Sequence, residues 1–136
     1  MTPAELPSMA PPVFPDTQPF WNATKQGRVL LPRCKRCAFV IWYPRNHCPE
    51  CGHAHVVWFE ASGRGSIYSF TVVRRGEGVY REVPLYVLAL VELQEGPRVL
   101  TNIVGCNIEA LRIDLPVQAV FSDTGDTAAL LRFRPI

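Results

Sequence analysis

Hydrophobic and polar positions fall into three regimes along the chain. Residues 1–15 show no periodicity, because six of the thirteen prolines crowd into the first nineteen residues (Pro3, Pro7, Pro11, Pro12, Pro15, Pro19). Each removes an amide donor and turns its predecessor away from helix, so an extended, mobile leader is expected over residues 1–16. Next, Thr17 can cap a helix whose first turn tolerates Pro19 and which Gly27 can end in a left-handed conformation, predicting one helix near residues 18–26. After Gly27 the pattern becomes short apolar or alternating runs broken by glycine, proline and polar residues, which is an all-β signature.

The strands predicted are Val29–Arg33, Phe39–Tyr43, Val56–Ala61, Ser66–Val73, Leu85–Leu93, Arg98–Val104, Val117–Phe121 and Ala129–Phe133. In Leu85–Leu93 the alternate positions Leu85, Val87, Ala89, Val91 and Leu93 are all apolar, so one face is buried and the strand is central. Asn107 is a suitable cap for a single helical turn reaching Leu111. The chain is thus mainly β, and it divides into the leader, a helix-and-ribbon unit at 17–61 and a β domain at 62–136.

Composition excludes several classes. With 136 residues, 48% apolar and 19% charged, and a net charge of +2, the chain is neither a disordered tail nor a strongly basic nucleic-acid arm. Its longest apolar runs, such as Leu85–Val91, fall well short of the roughly 20 residues of a membrane-spanning helix. The N-terminus is acidic and proline-rich, unlike a secretory signal, so a soluble, cytoplasmic protein is expected. Charge is nevertheless uneven. Residues 25–81 hold ten basic and three acidic side chains, and the remainder four and nine. That imbalance reads either as ordinary surface solvation or as a positive face that meets phosphates or an acidic protein surface.

Four of the five cysteines form two pairs, Cys34-Lys35-Arg36-Cys37 and Cys48-Pro49-Glu50-Cys51, separated by ten residues. Each pair sets two thiolates around a tight turn, and two such knuckles facing one another make a tetrahedral sulfur cage. So short a segment cannot bury enough apolar surface to stabilise itself, whereas structural zinc supplies on the order of 10–16 kcal/mol of apparent binding energy. With all four positions filled by sulfur, no place remains for an activated water, so the site is expected to be structural zinc, with iron as the alternative metal. Ala38 and Gly52 follow the two knuckles at the left-handed position, where Ala38 implies strain of about 1 kcal/mol. His47, His53 and His55 cluster around the second knuckle as surface or supporting groups; His53 becomes a ligand only if a cysteine is displaced. Cys106 stands alone and reads as a buried, inert thiol.

The order of parts then carries a resemblance. Phe20-Trp21, Gly27-Arg28, the two knuckles with Pro44-Arg45 between them, Ser62-Gly63-Arg64-Gly65, Tyr68–Val73, Val104-Gly105-Cys106 and Arg132-Phe133-Arg134-Pro135 resemble the zinc-ribbon/OB-fold acyl-CoA-associated family from about residue 17 to the end. The resemblance implies a rubredoxin-like zinc ribbon entered through an N-terminal helix, then a five-stranded OB barrel beginning near Ser62. It also implies a non-catalytic accessory subunit that binds a thiolase-superfamily or acyl-CoA hydratase-like enzyme. Such a subunit helps accommodate acyl-CoA thioesters during condensation or retro-aldol cleavage and contacts the acyl-CoA indirectly.

Candidate residues follow from both lines. Arg64, Arg74, Arg75 and Arg81 could neutralise CoA phosphates or pair with acids of a partner, arginine's planar fork suiting either. Phe20 and Trp21 either pack on the chain's own ribbon and barrel or dock onto another subunit, and Tyr80 lies in a loop suited to touching ligand or partner. The competing function is a single-stranded nucleic-acid binder, since Tyr68 and Phe70 alternate along one strand as a stacking platform would. Against it, Val72 continues their face as core, and the chain has only two lysines. An autonomous enzyme would have to recruit Cys106 or a ribbon histidine.

Overall fold

The computed structural model of the protein describes residues 5–136. Helix α1 spans Gln18–Lys25 with Pro19 in its first turn, and Gly27 closes it at φ 70°. Thr17 occupies the N-cap position, as expected, but its side chain makes no capping bond to the helix. Its hydroxyl turns back instead, accepting from the Phe14 amide and donating to the Phe14 carbonyl, which closes the preceding turn.

Strands β1 (Leu30–Cys34) and β2 (Val56–Glu60) form an antiparallel two-stranded ribbon, pairing Leu30 with Glu60 and Cys34 with Val56. The strand expected at Phe39–Tyr43 is reduced to one bridge between Arg33 and Val40. Pro32 explains the difference. Ile41 donates to the Pro32 carbonyl (2.9 Å), but Pro32 has no N–H for the reciprocal bond, so the ladder cannot extend. Trp42 and Tyr43 turn towards Phe20.

Beyond Ala61 the chain enters a closed five-stranded barrel: β3 (Arg64–Val73), β4 (Tyr86–Leu93), β5 (Arg98–Ile103), β6 (Pro116–Asp123) and β7 (Ala129–Pro135), in the order β3-β4-β5-β7-β6. All neighbours are antiparallel except β5 and β7, which run parallel and pair only at Ile103 and Phe133. The expected alternation holds on β4: Val87, Ala89, Val91 and Leu93 are buried with Leu85 just before it, and they meet Ile67, Val99, Ile103, Val117 and Phe133 in the core. At Gly65 a Cβ would collide with the Glu92 carbonyl, so only glycine lets β3 cross β4 so closely. The Asn107 side chain accepts from the Glu109 amide and caps a 3-10 turn over Ile108–Ala110, as the sequence predicted.

Two expectations fail in informative ways. A bulge between Ile67 and Ser69 inserts Tyr68 as an extra residue and shifts the strand's phase. Phe70 and Val72 pair with Ala89 and Val87 on the core face, whereas Tyr68 is exposed, its ring 3.8 Å from the Arg98 guanidinium. Tyr68 and Phe70 therefore do not share a face. The leader, for its part, has no regular structure over residues 5–14, yet residues 6–8 are anchored to the barrel; residues 1–4 lie outside the described residues. Leu6 is buried, and Pro7 and Ser8 accept hydrogen bonds from Arg132 on β7.

Candidate functional site

The cage is built from the two turns that flank the interrupted ribbon. Ala38 donates to the Cys34 carbonyl (3.0 Å) and Gly52 to the Cys48 carbonyl (2.9 Å), so the knuckles are near copies of one another. Both need a left-handed residue at that point, and the structure places Ala38 at φ 65° and Gly52 at φ 78°. The amides of Arg36 and Cys37 point at the Cys34 sulfur (3.3 and 3.4 Å).

All four Sγ atoms lie within 4.8 Å of one another, with Cys34–Cys51 at 3.6 Å and Cys37–Cys48 at 3.5 Å. A tetrahedral ion holding sulfur at about 2.3 Å sets its ligands about 3.8 Å apart, so the sulfur arrangement fits a four-thiolate metal site. Burial works to raise the Cys34 thiol, but the Cys37 and Arg36 amides and the neighbouring thiols bring it down to about 6. At Cys37 the Phe39 amide lowers the thiol, yet burial and the three other cysteines push it up to about 12. Four thiols this close share protons unequally, and a cation at their centre replaces that sharing. Cys34 and Cys48 are buried, while Cys37 and Cys51 face solvent. None of the histidines belongs to the cluster.

A second feature lies between the helix, the ribbon and the barrel. Phe20 (1% exposed) and Trp21 (8%) are core residues of the chain itself, the first of the two readings, so their direct contact with a partner is not supported. Phe20 packs edge-on against Trp21 (4.8 Å between centroids) and Trp42 (5.3 Å), and the Trp21 indole N–H donates to the Tyr43 hydroxyl (3.0 Å). This aromatic cluster forms one wall of a cleft of about 360 Å³. Leu100, Leu130 and Leu131 of β5 and β7 form the other wall, with Tyr80 and Arg132 at its end. Tyr80 is half-buried against Tyr86, 4.9 Å between centroids.

The candidate arginines are not one face. Arg74, Arg75 and Arg81 are exposed in the β3–β4 connection, on either side of the 3-10 turn Gly78–Tyr80, and make no ion pair among the described residues. Arg64 starts β3, nine residues before Val73 and so on the order of 30 Å from that end. Cys106 is buried, which raises its thiol and disfavours the nucleophilic thiolate.

Sequence reasoning missed four contributors. Trp42 and Tyr43 were assigned to a strand, Leu100 was only one residue of an alternating run, and Arg132 entered only through the resemblance. The available signal was an arginine set among apolar residues in Leu130-Leu131-Arg132-Phe133.

Comparison with known proteins places these features. Residues 21–56 match the ChsH2 rubredoxin-like zinc ribbon domain, and residues 58–122 match the ChsH2 C-terminal OB-fold domain. A DUF35 domain-containing scaffold protein of Methanocaldococcus jannaschii is 32% identical over 124 residues, covering 85% of this chain and 88% of that protein. A probable enoyl-CoA hydratase alpha subunit of Thermomonospora curvata is 38% identical over 117 residues, and there the chain spans only 36% of the relative's length. Among solved structures, a chain of the "Ltp2-ChsH2(DUF35) aldolase" superposes with a TM-score of 0.81 at 34% identity, covering 93% of this chain and 98% of that one. The chain belongs to the DUF35 scaffold-protein family, built as a ChsH2-type zinc ribbon followed by an OB-fold domain.

Proposed function

We propose that this protein is a non-catalytic accessory subunit that docks onto a thiolase-superfamily enzyme, or a hydratase related in role, and helps accommodate its acyl-CoA thioester. The observation that carries the reading is the near full-length match to the ChsH2 chain of a structure whose name pairs it with the aldolase Ltp2. Relatives named as hydratase alpha subunits support the same assignment. The ion in the cage is zinc, held by Cys34, Cys37, Cys48 and Cys51, and its role is to hold the knuckles together.

The fold offers a surface for this role. The outer face of β4 is apolar at its centre: Leu88 and Leu90, opposite its core positions, are only half-buried by the chain, and Leu100, paired with Leu90 on β5, is 64% exposed. A stretch of strand apolar on both faces is ordinarily covered on both. The partner supplies the missing cover, and Arg74, Arg75 and Arg81 meet its acidic groups or the phosphates of CoA.

Copurification from the native host tests the reading directly. A stoichiometric thiolase-like or hydratase-like subunit is expected, and Leu100→Asp in this chain is expected to abolish the association while leaving the cage intact. Acyl-CoA turnover by this chain alone, or RNA as the only companion, would overturn it. Elemental analysis is expected to find one zinc per chain.

A further inference from the structure

Arg132 is 3% exposed, yet no carboxylate among the described residues lies within ion-pair distance of it. Its acceptors are neutral. Nη1 donates to the Ser8 hydroxyl (3.1 Å), and Nη2 donates to the Pro7 carbonyl (2.6 Å) and, at 3.5 Å, to the Tyr80 hydroxyl. A guanidinium buried without a counter-charge is costly, by several kcal/mol in general. The leader therefore presents two oxygens, one to each terminal nitrogen, where the two oxygens of a carboxylate would sit in a bidentate pair.

The leader does not fill the space around it: Leu6, Ser8 and the barrel line a solvent-open groove of about 470 Å³. That groove carries Glu5 and Asp123, which repel anions, whereas the aromatic cleft, which Arg132 also lines, has no acidic residue in its lining. Its volume of about 360 Å³, its apolar walls and its few polar groups, Tyr43, Thr101 and Asn102 besides Tyr80 and Arg132, have the character of a small-molecule site.

We propose that Arg132 and the aromatic cleft form a binding site for a small amphiphilic carboxylate, which displaces residues 6–8 of the leader from the guanidinium. The acid's apolar chain lies between Trp42 and Leu130, and its carboxylate takes the positions of the Pro7 and Ser8 oxygens. Glu5 leaves with the leader, which removes one negative charge from the neighbourhood as the anion arrives. The inference concerns the chain alone and does not depend on the docking of any enzyme.

Hexanoate is the probe, titrated into the 136-residue chain with tryptophan fluorescence and the Ser8 amide resonance as readouts. Saturable binding is expected, with the Ser8 resonance moving to its unstructured position, and 1-hexanol at equal concentration is expected to leave that resonance in place. Arg132→Gln is expected to weaken hexanoate at least tenfold. The double variant Leu6→Ser, Ser8→Ala, which loosens the leader and keeps Arg132, is expected to bind hexanoate several-fold more tightly. Equal response to hexanol, no saturation, or unchanged or weaker binding by the double variant would overturn the proposal. The double variant decides the matter even if Arg132→Gln fails to fold.

Discussion

The Thr24 hydroxyl accepts from the Ala129 amide (3.1 Å) while donating to the Trp21 carbonyl (2.6 Å), so one buried oxygen fastens α1 to the first residue of β7, 105 positions away. Thr24→Val keeps the shape and leaves the Ala129 amide buried without a partner. A loss of about 1–3 kcal/mol in urea unfolding is expected, with the metal-to-protein ratio unchanged. If the ratio fell as well, the helix would be supporting the cage and not only the barrel.

Removing one thiolate acts on the other half of the molecule. Cys48→Ser is expected to lose the bound ion, because a three-sulfur cage forfeits much of an apparent binding energy on the order of 10–16 kcal/mol. Hydrogen exchange should then speed up across β1 and β2, while the barrel, whose five strands close on one another, stays protected although its core is continuous with Val29 and Leu31. Elemental analysis paired with exchange mass spectrometry reads both effects.

The two knuckles predict substitutions of opposite sign. Ala38 occupies φ 65° without glycine's freedom, so Ala38→Gly is expected to stabilise the ribbon by up to about 1 kcal/mol. Gly52→Ala meets no atom within 4 Å, so backbone strain alone is expected to destabilise it by about 1 kcal/mol. Chelator-challenge half-lives should rank Ala38→Gly above the parent and Gly52→Ala below it.

Acid acts on the contact between helix and barrel. The Lys25 ammonium (2.7 Å), together with the Gly125 amide, holds the Asp123 carboxyl below the usual carboxylate range. A carboxyl depressed in the folded state contributes stability above its unfolded value, about 3.9, and loses it as pH falls through the folded value. Asp123→Asn is therefore expected to lower the urea midpoint at neutral pH, and the difference should close in acid. Both side chains are substantially exposed, so added salt should shrink the neutral-pH difference too.

What the sequence made legible was local and periodic. The alternation along β4, the paired cysteines and the Asn107 cap each depend on neighbours a few residues away, and each appears in the structure where it was expected. The failures come from events that composition does not mark. Pro32 blocks a ladder whose other strand lies eight or more residues further on, and the bulge at Tyr68 reverses which alternate positions face inward. Arg132 is buried by a leader more than a hundred residues earlier, a pairing that no window on either segment contains.

The barrel's parallel closure has a mechanical consequence. Four of its junctions are antiparallel ladders, but β5 meets β7 at the single position Ile103–Phe133, backed by the Val104 amide on the Phe133 carbonyl and the Thr101 hydroxyl on the Leu131 carbonyl. A cylinder stitched this thinly along one line opens there first, like a zipper with a short final run of teeth. That seam borders Arg132, so whatever tightens the grip around the guanidinium also hardens the weakest joint of the cylinder against heat and proteases.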